Sequence, residues 1–165
     1  MAQSTDQQPT TNPSNFGSGI ANPANVYLTD AVYAVCTDAA STSDVSGFGN
    51  FGIPGAAKIV GIEVDCIGHY TGSGVNHDIT VSIKGSGSFV SKNWTPPQTT
   101  DSTITLGTPS ELWGRTWTVA DFANNTLTLE WGGADISVTS MSVDSYTARV
   151  FYTVNNGNIL LMFKP

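Results

Sequence analysis

The two histidines of the sequence, His69 and His77, lie on either side of a glycine-rich stretch that is typical of a turn. If this turn joins two strands of a hairpin, the imidazoles face each other and Asp78 is near enough to be a third metal ligand. Two solvent-exposed loop histidines account for the same residues more simply, and we favour that interpretation. The sequence contains no C-x-x-C pair and no EF-hand loop. We therefore predict neither a metal nor another cofactor.

Three carboxylates are the next candidates for chemistry. Glu63 and Asp65 share one face of a predicted strand because they are two residues apart, and Glu111 follows in a later segment. A glycosidase needs two such groups about 5–10 Å apart in a groove, whereas neighbouring carboxylates on a strand usually face solvent. No G-x-S-x-G nucleophile motif is present either. We predict that the protein is not an enzyme and keep a polysaccharide hydrolase as the weakest alternative.

The tryptophans are more informative than the titratable residues. We predict that Trp113, Trp117 and Trp131 fill the core, since Trp buries a large area and Trp131 ends an apolar strand face. Trp94 differs because it stands beside the Pro96-Pro97 pair, which interrupts a strand. We predict that Trp94 is an exposed ring and a contact for a carbohydrate or a protein.

The elements that would position these residues are short strands with a two-residue period. In Lys58–Gly68 the apolar side chains of Ile62, Val64 and Cys66 alternate with polar ones. The clearest other strands are His77–Lys84, Thr126–Trp131 and Ser145–Val154, and weaker candidates are Val26–Cys36, Val45–Phe51, Ser88–Lys92, Ser102–Leu106 and Asp135–Ser140. About eight or nine strands separated by Gly, Pro and Asn predict an all-β, antiparallel β-sandwich that resembles a jelly roll.

Both ends of the chain differ from this middle part. Residues 1–25 are polar and predict an extended or flexible arm, residues 26–154 form the sandwich, and residues 155–165 are an apolar tail. The tail either adds a strand to its own sheet or docks on a neighbouring subunit by strand addition. The candidate partner contacts are therefore Phe16, Ile20, Ile159, Leu160, Leu161, Met162 and Phe163.

The charge content excludes several classes of partner. Charged residues are 12% of the chain, and the net charge is −7 with only six Lys and Arg. Nucleic acid is an improbable ligand because no basic stripe can neutralise phosphates, and no apolar run is long enough to span a membrane. Without a secretory signal at the N-terminus, the chain is expected to be made in a reducing cytoplasm. Cys36 and Cys66 could form a disulfide, but we favour two buried thiols.

Four phrases in the sequence resemble a β-sandwich domain that recurs in virion proteins of tailed bacteriophages. They are NPAN (residues 22–25) with Asp30, Tyr33 and Ala34, then FGNFGIPGAAKIVGIEV (48–64), LGTPSELWG (106–114) and VDSYTARVFYT (143–153). The resemblance covers about residues 22–153. Two residues in the last phrase also have a physical role, since Asp144 would accept turn hydrogen bonds and Arg149 would pair with a carboxylate on the adjoining strand.

The resemblance implies a component of the particle surface that binds other virion proteins, namely capsid or fibre subunits. Because the chain is short and has no repetitive shaft, we expect a capsid decoration or cement protein, assembled as a homotrimer on capsid symmetry axes. The alternative is a receptor-binding or carbohydrate-binding module of a tail fibre or head fibre, with host-surface glycans as ligands.

Overall fold

A computed structural model describes residues 1–11, 15–38, 40–73, 77–136 and 140–154. The described residues form ten strands and two short 3-10 helices, Pro23–Val26 and Val119–Phe122. In chain order the strands are β1 Ala2–Gln3, β2 Ile20–Ala21, β3 Ala34–Cys36, β4 Thr42–Val45, β5 Ala57–Thr71, β6 His77–Lys84, β7 Val90–Trp94, β8 Ser102–Thr108, β9 Thr128–Ile136 and β10 Ser140–Val154. No helix in the described part of the chain has the length and apolar character needed to cross a membrane.

The alternation of side chains builds the core as the sequence predicts. In β5, the side chains of Ile62, Val64 and Cys66 are completely buried, while Glu63 and Asp65 point to the opposite face. The inward faces of β6, β9 and β10 are equally buried, because strand geometry places every second residue on the same side. Cys36 and Cys66 are free, buried thiols, and burial raises the pKa of each.

The strands form an antiparallel sandwich with the connectivity of a jelly roll. Strands β3 to β10 make four nested antiparallel pairs, β3 with β10, β4 with β9, β5 with β8 and β6 with β7. The nested ribbon then wraps around the core, so that β10 also pairs with β5 and β9 also pairs with β6. One sheet has the order β2-β3-β10-β5-β8, with β1 beside β10, and the other has the order β4-β9-β6-β7. The predicted fold class is confirmed.

The predicted exposure of Trp94 is wrong. Its strand, expected over Ser88–Lys92, lies at Val90–Trp94, and Trp94 pairs in register with the inward-facing Ile79. The ring is 1% exposed and contacts Tyr146 edge-to-face, with ring centroids 6.4 Å apart. Trp94 therefore fills the core and presents no surface to a ligand. The other tryptophans, Trp113, Trp117 and Trp131, are buried as predicted.

The weaker strand predictions are only partly correct. Val26–Cys36 contains only the short β3, because a 3-10 helix and a loop occupy its first part. Val45–Phe51 is mostly an irregular segment whose aromatic rings, Phe48 and Phe51, are buried. β10 begins at Ser140, so the predicted strand Asp135–Ser140 is divided between the end of β9 and the start of β10.

The N-terminal arm belongs to the domain. It is extended, as predicted, but β1 pairs with the end of β10, and Gln7 exchanges two backbone hydrogen bonds with Ala148. The arm then crosses to the other sheet, where Phe16 bridges to Ser43, and returns as β2. Ile20 is 5% exposed inside its own core, which contradicts its prediction as a partner contact, whereas Phe16 is 51% exposed. The tail, residues 155–165, lies outside the described residues, and so do its five predicted contacts.

Candidate binding surfaces

Arg149 connects the arm to the outer face of the first sheet. Its Nε and Nη2 atoms donate to the two carboxylate oxygens of Asp6, each at 2.7 Å, and its Nη1 atom donates to Glu63 at 3.1 Å. The Asp65 carboxylate lies 3.6 Å from Nη2. The hydrogen bonds with Asp6 raise the pKa of Arg149, and the same bonds lower the pKa of Asp6. The predicted pairing of Arg149 with an adjoining strand is confirmed, and the Glu63–Asp65 pair has a structural partner.

His69 lies in a second polar cluster on the same face. Its Nδ1 atom is 2.7 Å from Asp101 Oδ1, and the Tyr33 hydroxyl donates to Asp101 Oδ2 at 2.7 Å. The Tyr33 and His69 rings are also edge-to-face, with centroids 5.0 Å apart. The hydrogen bond to Asp101 and burial raise the pKa of Tyr33 to about 12.

Two of the three residues considered as metal ligands, His69 and Asp78, have other hydrogen-bond partners in the described part of the chain. No three His, Cys, Asp or Glu side chains within the described ranges are grouped as a metal site requires. His69 is engaged with Asp101, and Asp78 accepts a hydrogen bond from Thr95. The side chain of His77 lies outside the described part of the structure.

The loop of residues 27–33 crosses the outer face of the first sheet and is held there by polar contacts. Asp144 Oδ1 accepts hydrogen bonds from the backbone N–H groups of Asp30, at 3.2 Å, and Ala31, at 3.0 Å. The hydroxyl groups of Thr29 and Ser145 are 2.8 Å apart. Asp144 therefore accepts turn hydrogen bonds as predicted, although the turn is more than a hundred residues away in sequence.

This loop presents an apolar surface at its tip. Leu28 is 61% exposed and Val32 is 50% exposed, although both are large aliphatic side chains. They border a shallow cleft of about 190 Å³ that is lined by Ala24, Asn25, Tyr27, Leu28, Asp30 and Val32. We call Leu28, Val32 and this cleft the 27–33 surface. It combines exposed apolar side chains with a backbone held by hydrogen bonds, which makes it a candidate protein-binding surface.

Sequence reasoning missed the 27–33 surface because both aliphatic residues fall inside the predicted strand Val26–Cys36. A local signal was present, since Thr29-Asp30-Ala31 interrupts the apolar alternation with turn-forming residues. Of the predicted contacts, Phe16 is exposed on the arm, and Ile20 and Trp94 are buried. No family model matches the chain, and a comparison with curated proteins finds no match.

Proposed function

We propose that this chain is a non-enzymatic structural protein of a tailed-bacteriophage particle, most specifically a decoration or cement protein on the head surface. In this proposal it is made in the host cytoplasm, assembles as a homotrimer and binds capsid or fibre subunits. Its support is the resemblance of residues 22–153 to a virion β-sandwich domain, together with the jelly-roll fold, which capsid proteins often have. One fold supports many functions, so the surface of the domain carries more weight than the fold.

The observation that carries the proposal is the fixed, apolar 27–33 surface. Leu28 and Val32 protrude from a loop whose backbone is held by Asp144 and whose Thr29 hydroxyl is held by Ser145. Because the loop is already ordered, little conformational entropy is lost when a partner covers it. Burying the exposed parts of two aliphatic side chains contributes roughly 2–3 kcal/mol to association.

The composition of the chain supports an apolar, hydrogen-bonded contact. With 12% charged residues, few surface groups would be buried as unpaired charges when a capsid subunit covers this face. An interface of this kind depends weakly on ionic strength, because screening acts mainly on exposed charges. We expect binding to heads to be similar at low and at moderately high salt.

The proposal is tested by co-sedimentation of the purified chain with phage heads prepared without it. We expect saturable binding by the parent chain and at least a tenfold loss of affinity for the double variant Leu28→Ser, Val32→Ser. The matched control is Phe16→Ser, which removes a similarly exposed apolar side chain from the arm. If the control loses binding and the double variant does not, the arm is the contact; if the parent does not bind heads, the decoration role is wrong.

A receptor-binding or carbohydrate-binding module is the second candidate. Its ligand would bind in the cleft of the 27–33 surface and not at Trp94. Trp94 is buried, but the cleft of the 27–33 surface has an aromatic side chain, Tyr27, beside the polar groups of Asn25 and Asp30. Aromatic faces bordered by hydrogen-bonding groups are typical of sugar sites. Binding on a glycan array that is lost in Tyr27→Leu and retained in Leu28→Ser would support this function over the first.

A further inference from the structure

The outer edge of β8 differs from every other sheet edge in the described residues. The β4 edge is covered by the arm, through Thr11 and Phe16, and β7 carries Lys92, a charge of the kind that discourages strand pairing. β1 and β2 are two residues each and offer little to pair with. β8, Ser102–Thr108, is seven residues long and contains no charge and no proline.

The backbone of this edge is also open. Within the described chain, the backbone of Thr103–Leu106 forms hydrogen bonds with β5 alone. Ile104 pairs in register with the buried Cys66 and so faces the core, yet it is 37% exposed. At this edge of the sandwich, backbone groups of β8 are therefore open to a further strand, and an apolar side chain that faces the core is incompletely covered.

We propose that the β8 edge accepts the apolar tail of a second copy of this chain, Ile159–Phe163, as an added strand. Five consecutive large apolar residues supply the backbone groups for Thr103–Leu106 and alternate side chains to cover Ile104. An interaction between identical chains of this kind closes into a ring when each copy donates one tail and accepts one.

The length of the tail indicates that it comes from a second copy. Val154 ends β10 and pairs with Ala57, whereas Ile104 lies beside Cys66, much further along β5. A strand outside β8 lies three strand spacings from β10, so its centre is about 30 Å from Val154. Fully extended, the chain from Val154 to Leu161 spans at most about 25 Å. The apolar run of the same chain therefore cannot be centred on Ile104 at this edge.

Light scattering on the purified full-length chain is the first test. We expect an oligomer for the parent and the mass of a single chain after deletion of residues 155–165 or after Ile104→Lys. The matched control is Asn93→Lys, which adds a lysine to the β7 edge and should leave the oligomer unchanged. Circular dichroism confirms that each variant is folded. A monomeric parent, or an oligomer that survives Ile104→Lys in a folded variant, overturns the proposal.

Cross-linking separates the second copy from the chain's own tail. One chain carries Thr103→Cys, and its partner carries Leu160→Cys, Leu161→Cys or Met162→Cys in turn; the native Cys36 and Cys66 do not compete because both are buried. We expect a disulfide-linked pair of the two different chains for at least one tail position. A disulfide found only within a chain that carries both substitutions, or no disulfide at any position, contradicts the proposal. These experiments need no capsid, so their outcome is independent of the virion role.

Discussion

Two buried aspartates, Asp121 and Asp144, hold two loops of this domain under opposite electrostatic conditions. Asp121 Oδ1 accepts hydrogen bonds from the N–H and the hydroxyl of Ser86, and Oδ2 accepts the equivalent pair from Thr118, all between 2.7 and 2.9 Å. Burial alone would raise the pKa of Asp121, but these bonds outweigh it and lower the pKa to about 2. The charged form is therefore strongly favoured in the folded protein.

Asp144 accepts hydrogen bonds from fewer donors, and two other carboxylates, those of Asp101 and Asp30, lie near it. Burial raises its pKa, the two backbone N–H groups of Asp30 and Ala31 compensate only in part, and the charges of Asp101 and Asp30 raise it further. The Asp121 corner lies next to the aromatic end of the core, where Phe122 contacts Phe51 and Trp117. The surroundings therefore favour the charged form of Asp121, whereas they disfavour the charged form of Asp144, the residue that accepts the hydrogen bonds of the 27–33 loop.

We call Asp121 and Asp144, each with the loop it holds, the two corners. The largest difference between them is expected from Asp121→Asn. The amide NH2 group would face two donors in place of an acceptor, because both oxygens of Asp121 are in use. We expect a loss of about 3 kcal/mol or more in the free energy of unfolding. Urea unfolding followed by tryptophan fluorescence measures it. A loss below about 1 kcal/mol would mean that the Asp121 corner is not the firmer of the two.

Acid should weaken the Asp121 corner in the parent protein. A folded pKa of about 2, against an ordinary value of 3.8, means that the folded state binds its proton at lower pH than the unfolded state. The stabilisation is present above pH 4 and is lost as the pH falls toward 2, and it amounts to about 2 kcal/mol. Unfolding curves between pH 5 and pH 2 measure it. Asp121→Asn should lack this component, and equal pH slopes in both proteins would contradict it.

The fold was predictable where its determinants are local. The buried faces of β5 and β6 follow from alternation within a few residues, so Ile62, Val64 and Cys66 could be assigned to the core without a structure. Strand ends are harder to predict from sequence. The strand predicted to end at Lys92 ends at Trp94, and this difference of two residues places the Trp94 ring in the core instead of on the surface.

The arm and the candidate site depend on contacts that a sequence hides. The arm binds largely through backbone hydrogen bonds, as Gln7 does with Ala148, and its polar composition carries no sign of them. Leu28 and Val32 are exposed because Asp144 fixes their loop from a strand near the other end of the chain. The raised pKa of Asp144 could not be predicted either, because Asp101, whose charge contributes to it, comes close only in the folded chain.

A smaller effect is expected from Thr29→Val in the 27–33 loop. The substitution removes the hydroxyl that lies 2.8 Å from that of Ser145, a buried residue that is then left without this partner. We expect a loss of about 1 kcal/mol in stability and faster hydrogen exchange at the amides of Asp30 and Ala31. Thr100→Val is the control, since Thr100 is exposed and its hydroxyl has no hydrogen-bond partner among the described residues. Unchanged exchange in Thr29→Val would show that this contact does not hold the loop.

The smallest effect is expected from Asp144→Asn. The amide keeps an oxygen for the N–H groups of Asp30 and Ala31 and removes a charge that burial and two neighbouring carboxylates disfavour. The loss of charge-assisted hydrogen bonds and the relief of repulsion nearly cancel, so stability at pH 7 should change by less than about 1 kcal/mol.

The pH dependence then gives the sign of the Asp144 contribution. Its pKa is raised in the folded state, so the folded parent takes up a proton before the unfolded chain does, and the parent gains stability relative to Asp144→Asn as the pH falls through that pKa. The difference between the two unfolding curves should move in the direction opposite to that for Asp121. If Asp144→Asn instead loses as much stability as Asp121→Asn at pH 7, the two corners are equivalent and the 27–33 surface is as firmly supported as the core end.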